Sequence, residues 1–301
     1  MIVSSRATRW RLRSRVLELP ERPLVMGIVN VTPDSFSDGG RHDGEDAAVA
    51  HGLALVAAGA DILDVGGEST RPFSDPVDAA EEWRRVGGVV QRLTRETVLP
   101  VSIDTSKAWV AERAIDAGAE IVNDVTGLAG DPAMIRVAVA SGAGVCAMHM
   151  QGTPKTMQID PRYDDVVSEI HGYLAARRDA LLADGVEPDR ICLDPGIGFG
   201  KTHAHNLELV ARAGAFLDLG TPILVGHSRK GFVGKLLEGP LGRPATLEDR
   251  DAATAGIACG LAAQGIQIVR VHAVGLVRAS LEAFTASRPL TAGRGAGFSS
   301  G

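Results

Sequence analysis

The sequence predicts an α/β protein built as a single (β/α)8 TIM barrel with a short N-terminal strand or hairpin. Three observations carry this. Eight short apolar runs alternate with longer, Ala-rich stretches of helical period. The runs are continuously apolar, the mark of a parallel sheet covered on both faces. No linker interrupts residues 23–287, and eight units over about 260 residues fit a closed barrel, whereas an open doubly wound sheet usually has fewer strands and calls for a second domain.

The elements follow in order. Residues 1–22 form an N-terminal extension in which Trp10 to Leu19 reads as a solvated, alternating strand or hairpin. Strands are expected at Leu24 to Asn30, Asp61 to Gly67, Pro100 to Asp104, Glu120 to Val125, Gly144 to His149, Arg190 to Asp194, Pro222 to Gly226 and Gln267 to Val271. Helices are expected near 45–58, 77–96, 107–117, 131–141, 163–184, 203–217, 246–264 and 274–286. Gly59, Gly118 and Gly142 stand where a helix end takes a left-handed cap. Residues 288–301 are Gly/Ser-rich and poor in apolar residues, as expected of a disordered tail.

Composition narrows the function. Aromatics make up only 4% of the chain against 36 glycines, so the core is built from Ala, Val, Leu and Ile. A net charge of -6 gives no bulk basic surplus for nucleic acid phosphates. No run reaches the roughly 20 apolar residues that span a bilayer, so no membrane partner is expected. Arg6, Arg9, Arg11, Arg13 and Arg15 imitate a targeting signal, but Glu18 to Arg22 stand where its apolar segment and cleavage site belong. Cys146, Cys192 and Cys259 lie singly in apolar stretches, read as small buried hydrophobes of a reducing, cytoplasmic protein.

The strand candidates end in residues able to bind a polar ligand: Asn30, Asp64, Asp104, Asn123, His149, Asp194, Ser228 and Lys230, then Arg270 and His272. One such residue could merely cap a helix. Together, at the mouth where a barrel gathers its strand ends, they describe a converging site. Three tempting motifs fail. Pro195 to Thr202, PGIGFGKT, has Pro195 where a P-loop needs glycine. The second glycine of Gly226-His-Ser-Arg-Lys-Gly231 comes one place too late for a nucleophile elbow, so Ser228 is a poor acyl-transfer nucleophile. His203 and His205 follow Lys201-Thr202 at a helix start and read as solvated or capping residues rather than metal ligands.

Longer matches then appear. Gly27-Ile-Val-Asn-Val-Thr-Pro-Asp-Ser-Phe-Ser-Asp-Gly-Gly40 and Asp64-Val-Gly-Gly-Glu-Ser-Thr-Arg-Pro72 resemble the two signatures of bacterial dihydropteroate synthases, a pterin-binding enzyme family. Ser102 to Thr105, Asn123 to Gly127, Met148 to Pro154, Asp194 to Lys201, Ser228 to Lys230 and Arg270 to His272 match in order, so the likeness spans roughly residues 10–287. It implies a (β/α)8 barrel, a homodimer, and the joining of 6-hydroxymethyl-7,8-dihydropterin pyrophosphate to p-aminobenzoate in folate synthesis.

Carried over residue by residue, the resemblance puts Asp104, Asn123 and Asp194 on the amino-pyrimidinone edge of the pterin, helped by Lys230, with Met148 and Ile197 near the ring. Asn30 is the expected ligand of Mg2+ beside the pyrophosphate, which Arg270 and His272 grip. Phe199 walls the benzoate ring while Lys230 and backbone N–H groups hold its carboxylate. Phe36, Thr70, Arg71 and Pro72 belong to two loops expected to fold over the reacting carbon, and Asp64 and Ser228 also count as binding residues. Asp104, Asp194, Lys230, Arg270 and His272 form the expected catalytic set. The residue types suit the task, because buried carboxylates and amides reject analogues by leaving groups unpaired.

Three positions depart from the pattern: Gly231 replaces a serine, Ala273 an acid and Phe73 a glycine. Two other readings compete on the same barrel. One is a methyltetrahydrofolate–corrinoid methyltransferase domain, which needs neither the Val31 to Gly40 loop nor Ser228-Arg-Lys230. The other is a paralogue that binds pterin without turnover, for which Gly231 and Ala273 are the hints.

Overall fold

The structure, a computed structural model, describes residues 6–31, 41–70 and 74–288. Eight parallel strands form one sheet: β3 Leu24–Asn30, β4 Ile62–Gly66, β5 Val101–Asp104, β6 Ile121–Asp124, β7 Gly144–Met148, β8 Ile191–Asp194, β9 Leu224–Val225 and β10 Ile268–Val271. Their order is β8-β7-β6-β5-β4-β3-β10-β9, and a parallel bridge from Leu193 to Ile223 brings the two ends together into the predicted barrel.

The two faces of the strands serve different layers, and both are apolar at the floor except in β5, whose inward positions are Ser102 and Asp104. Val25, Leu63, Ile103, Val122, Val145, Leu193, Val225 and Val269 pack outward beneath the helices. Met26, Ile62, Ile121, Cys146, Cys192, Leu224 and Ile268 fill the barrel interior. Because side chains alternate along a strand, the residues two places further on share this inward face. Those residues include Asp64, Asn123, Met148, Asp194 and Arg270, so one strand face turns from apolar at the floor to polar at the mouth.

The N-terminal extension closes the floor. β1 Arg9–Arg11 pairs antiparallel with β2 Val16–Glu18 in the expected hairpin, but the hairpin is not a solvated one. Trp10 is 0% exposed within the interior cluster, and its Nε1 donates to the Arg190 carbonyl at 2.9 Å. Burying so large a side chain is worth several kcal/mol, which explains why a three-residue strand stays in place. The early arginines anchor it: Arg11 pairs with Glu187 and Asp189, Arg13 donates to the Ile115 carbonyl and Arg15 pairs with Glu120.

The helices are α1 Arg41–Ala57, α2 Ala79–Glu96, α3 Ala108–Asp116, α4 Met134–Ser141, α5 Val166–Ala183, α6 His203–Ala211, α7 Gly231–Leu241, α8 Leu247–Ala263 and α9 Val274–Ser287. Two differ from expectation. The helix foreseen over 203–217 breaks into α6 and a 3-10 segment, Ala213–Leu219, where the Gly214 N–H bonds to the Gln264 side chain. α7 is additional: three glycines and Pro240 disguise it in the sequence, and burial of Phe232 and Val233 outweighs their propensity. Cys146 and Cys192 are buried as expected, whereas Cys259 is only half-buried. The proposed tail, beyond its first residue Arg288, lies outside the described residues. Among those residues no helix is long and apolar enough to cross a membrane.

Candidate active site

The strand ends meet at the mouth. Asn30, Asp64, Asp104, Asn123, Met148 and Asp194 lie within or at the ends of β3 to β8, and Arg270 lies in β10. Ile197 and Phe199 follow β8, Ser228 and Lys230 follow β9, His272 follows β10 and Thr70 follows β4. Phe36, Arg71 and Pro72, with Phe73, lie outside the described residues.

Arg270 organises one side. Its Nε donates to Asp64 Oδ2 at 2.5 Å and its Nη2 to Asp104 Oδ2 at 2.7 Å. The same Asp64 oxygen accepts from Asn123 Nδ2 at 3.1 Å. Asp64 is 0% exposed, so its contacts are with Arg270 and Asn123 rather than with the open mouth. Its Oδ1 finds no hydrogen-bond partner among the described residues. Burial draws the Arg270 guanidinium down, but Asp64 and Asp104 more than offset this and hold it firmly charged. Burial pushes Asp104 up to about 7, with Arg270 opposing and Asp64 assisting.

Lys230 organises the other side. Its Nζ donates to the Ile197 carbonyl and sits 4.5 Å from the centre of the Phe199 ring. Burial lowers its pKa to about 8, while Asp194 raises it, Arg270 lowers it and Asp104 raises it. Asp194 is itself pushed up by burial, against the pull of Lys230 and of the Gly196 N–H, which donates to Oδ1 at 2.7 Å. The glycines of PGIGFGKT serve a purpose unrelated to a P-loop. Gly198 has φ +85, and a Cβ there would come within 2.8 Å of Lys230 Cδ, so this turn can pass the lysine only as glycine.

Ser228 is engaged with His272 rather than free to attack a substrate. Its Oγ accepts from the His272 backbone N–H at 3.2 Å and lies 3.0 Å from His272 Nδ1, so it orients that ring. His205 caps α6 in a reciprocal pair with Thr202, the capping role expected of it. His149 is buried against a lysine instead of standing open to a ligand: its Nδ1 meets Lys201 Nζ at 3.0 Å, and burial followed by the Lys201 charge lowers its pKa to about 3. Nothing local in the sequence marks Lys201 as a support of the site; the fold does, since its Nζ also donates to the Phe199 carbonyl at 2.8 Å.

Among the described residues no group of three His, Cys, Asp or Glu could hold a metal by itself. Asn30, half-buried at the end of β3, offers a single hard carboxamide oxygen. That donor set fits Mg2+ brought by a diphosphate, since this ion takes one or two protein ligands and fills its shell with phosphate oxygens and water.

Comparisons with known proteins agree with this site. The profile of the pterin binding enzyme family matches residues 26–272. The dihydropteroate synthase of Escherichia coli K12 is 44% identical over 255 residues, covering 84% of this chain and 87% of the relative. A dihydropteroate synthase structure from Xanthomonas albilineans with 4-aminobenzoic acid superposes with a TM-score of 0.86 at 43% identity, covering 94% of this chain and 100% of that one. A structure of the enzyme from the same organism with 7,8-dihydropteroate gives 0.82 at 41% identity, covering 93% and 100%. With the strand-end signatures meeting at one mouth, the chain belongs to the dihydropteroate synthases of the pterin-binding enzyme family.

Proposed function

We propose that the protein condenses 6-hydroxymethyl-7,8-dihydropterin pyrophosphate with p-aminobenzoate, giving 7,8-dihydropteroate and pyrophosphate. The observation that carries this reading is the polar set around one mouth, buried Asn123 and Asp194 with half-buried Asp104 and Lys230, and Arg270 beside it. Carboxylate and amide oxygens accept from the amino and ring N–H groups of a pterin, and Lys230 donates to its carbonyl. Met148 and Ile197, both buried, wall the ring.

The reaction breaks the bond between the pterin methylene carbon and its bridging oxygen, whose electron pair leaves with pyrophosphate. The amine of p-aminobenzoate supplies the pair for the new C–N bond and then loses a proton. The electron-rich pterin stabilises a cationic methylene, so no covalent enzyme nucleophile is required, in accord with the orientation of Ser228 toward His272. Arg270 and His272 bind the departing diphosphate oxygens. Asp64 and Asp104 hold the guanidinium in place, leaving Nη1 for the anion. Phe199 walls the benzoate ring, and Lys230 with the N–H groups at the start of α7 takes its carboxylate. The family resemblance assigns the cover over the reacting carbon to Thr70, Arg71, Pro72 and Phe36, of which Thr70 alone is among the described residues.

Asn30 would hold Mg2+, which when bound supplies charge neutralisation to the leaving diphosphate. Calorimetry tests the metal: pyrophosphate affinity should fall with EDTA and in Asn30→Ala, and affinity indifferent to EDTA would remove the ion from the account. The wider assignment is to a cytoplasmic homodimer. The function itself is tested by offering the enzyme both reactant pairs. Dihydropteroate must form from the pterin pyrophosphate and p-aminobenzoate, whereas methyl transfer from methyltetrahydrofolate to a corrinoid would support the competing barrel.

A further inference from the structure

β9 is the shortest strand of the barrel, only Leu224–Val225; its pairing with β10 ends at Val225, and the bridge toward β8 lies earlier still, at Ile223. The segment that follows nevertheless delivers two site residues, Ser228 and Lys230, in opposite directions. Sheet hydrogen bonds do not set its course. Helix α8 does. Thr254, buried in α8, accepts at its carbonyl from His227 Nε2 at 2.9 Å, and its hydroxyl accepts from the Arg229 backbone N–H at 3.4 Å. Asp251, one helical turn earlier, binds the Arg229 guanidinium in two parallel bonds, Nε to Oδ1 at 2.7 Å and Nη2 to Oδ2 at 2.8 Å.

Arg229 itself is in the left-handed region, with φ 59. A residue with a Cβ occupies that region at a cost and stays there only when its surroundings enforce it. Here the conformation reverses the chain between the two functional side chains. On one side Ser228 reaches His272 at 3.0 Å, and on the other Lys230 reaches the Ile197 carbonyl and the Phe199 ring.

We infer that the Arg229–Asp251 ion pair is a positioning device for the reaction, with α8 holding the strained turn that places Ser228 and Lys230 together. The inference deepens the proposed function and rests on it. Asp251 belongs to no strand end, and it bears on the mouth through the Arg229 guanidinium that it binds.

The strain makes the proposal testable against a purely structural ion pair. Arg229→Ala and Arg229→Gly both remove the clamp, but only glycine enters the left-handed region freely. Arg229→Ala should relax the turn and misplace Lys230, lowering kcat/KM by about a hundredfold, the scale of a misplacement near 1 Å. Arg229→Gly, which keeps the conformation accessible, should retain about tenfold more activity than the alanine variant, with raised KM rather than lowered kcat. An ion pair that serves stability alone predicts instead that both variants, once folded, keep the wild-type kcat/KM and lose only melting temperature. Should Arg229→Ala not fold, Asp251→Asn keeps the arginine and should still lower kcat/KM about tenfold. Arg243→Ala, which breaks the exposed pair with Asp249 near the start of α8, should leave kcat/KM unchanged. Equal activities of the glycine and alanine variants, or wild-type activity in Asp251→Asn, overturn the inference alone. A folded wild-type protein that makes no dihydropteroate overturns the functional reading and this inference with it.

Discussion

The floor and the mouth of this barrel are made by the same strands only two residues apart, yet they obey opposite rules. At the floor Ile62, Ile121, Cys192 and Ile268 close on Trp10 with no charged group among them. At the mouth Asp64, Asn123, Asp194 and Arg270 continue the same inward faces with carboxylates, an amide and a guanidinium. The apolar layer gains free energy by excluding water. The polar layer is costly to bury and is tolerated because its charges meet each other, as Arg270 meets Asp64 and Asp104. The contrast teaches that stability and chemistry are stacked along one axis, so a substitution should damage one and spare the other.

Lys230→Ala gives the largest expected separation. Removing the cation shared by the pterin and the carboxylate should lower kcat/KM by about a hundredfold or more while the protein still melts cooperatively. Near wild-type kcat/KM would end the double role. Lys230→Met sharpens the point through stability. Burial holds the folded pKa at about 8, below that of an unfolded lysine, so this group penalises folding below pH 8, and the penalty fades as pH rises through 8 toward the ordinary value of about 10.4. At pH 7 the methionine variant should therefore melt no lower than wild type.

Trp10→Ala is the mirror experiment. It should cost about 3 to 5 kcal/mol in denaturant unfolding, with kcat of the remaining folded enzyme unchanged. A loss of kcat without loss of stability would join floor to mouth and break the comparison.

Which parts of this arrangement are legible in the sequence depends on whether their signal is local. The continuous apolar runs mark all eight strands, and the polar residues that end them mark the mouth. Trp10 and Leu12 show the hairpin's alternation, but not that their side chains plug a barrel, since that depends on Arg190 some 180 residues away. α7 is hidden because its glycines and Pro240 speak against a helix, and only packing of Phe232 and Val233 decides otherwise. The pairs Arg270–Asp64, Arg229–Asp251 and Lys201–His149 join residues 206, 22 and 52 positions apart. No motif spacing announces them, because the fold alone makes them neighbours.

The pH profile gives a smaller, graded effect. Lys230 must be protonated to take a carboxylate, so kcat/KM should fall above about pH 8 as the buried amine loses its proton. Asp194 and Asp104 hold that proton on, while burial and Arg270 work against it. A limb displaced to the ordinary lysine range near 10.4 would mean that the mouth is as well solvated as the surface.

Gly231→Ser gives the smallest effect. A side chain at this first position of α7 has room: a Cβ there would find His203 Cε1 as its nearest neighbour, 3.8 Å away. The added hydroxyl should tighten p-aminobenzoate by about one hydrogen bond, or ~1 kcal/mol, in a calorimetric titration. No gain would place the carboxylate elsewhere than the start of α7.

The most direct measurement of the central claim is the stoichiometry of turnover. Purified wild-type enzyme with Mg2+, 6-hydroxymethyl-7,8-dihydropterin pyrophosphate and p-aminobenzoate should release one pyrophosphate for each 7,8-dihydropteroate formed, and Lys230→Ala should abolish most of both together. A folded wild-type protein that binds the pterin yet forms no dihydropteroate would contradict the account and leave the mouth a binding site without chemistry.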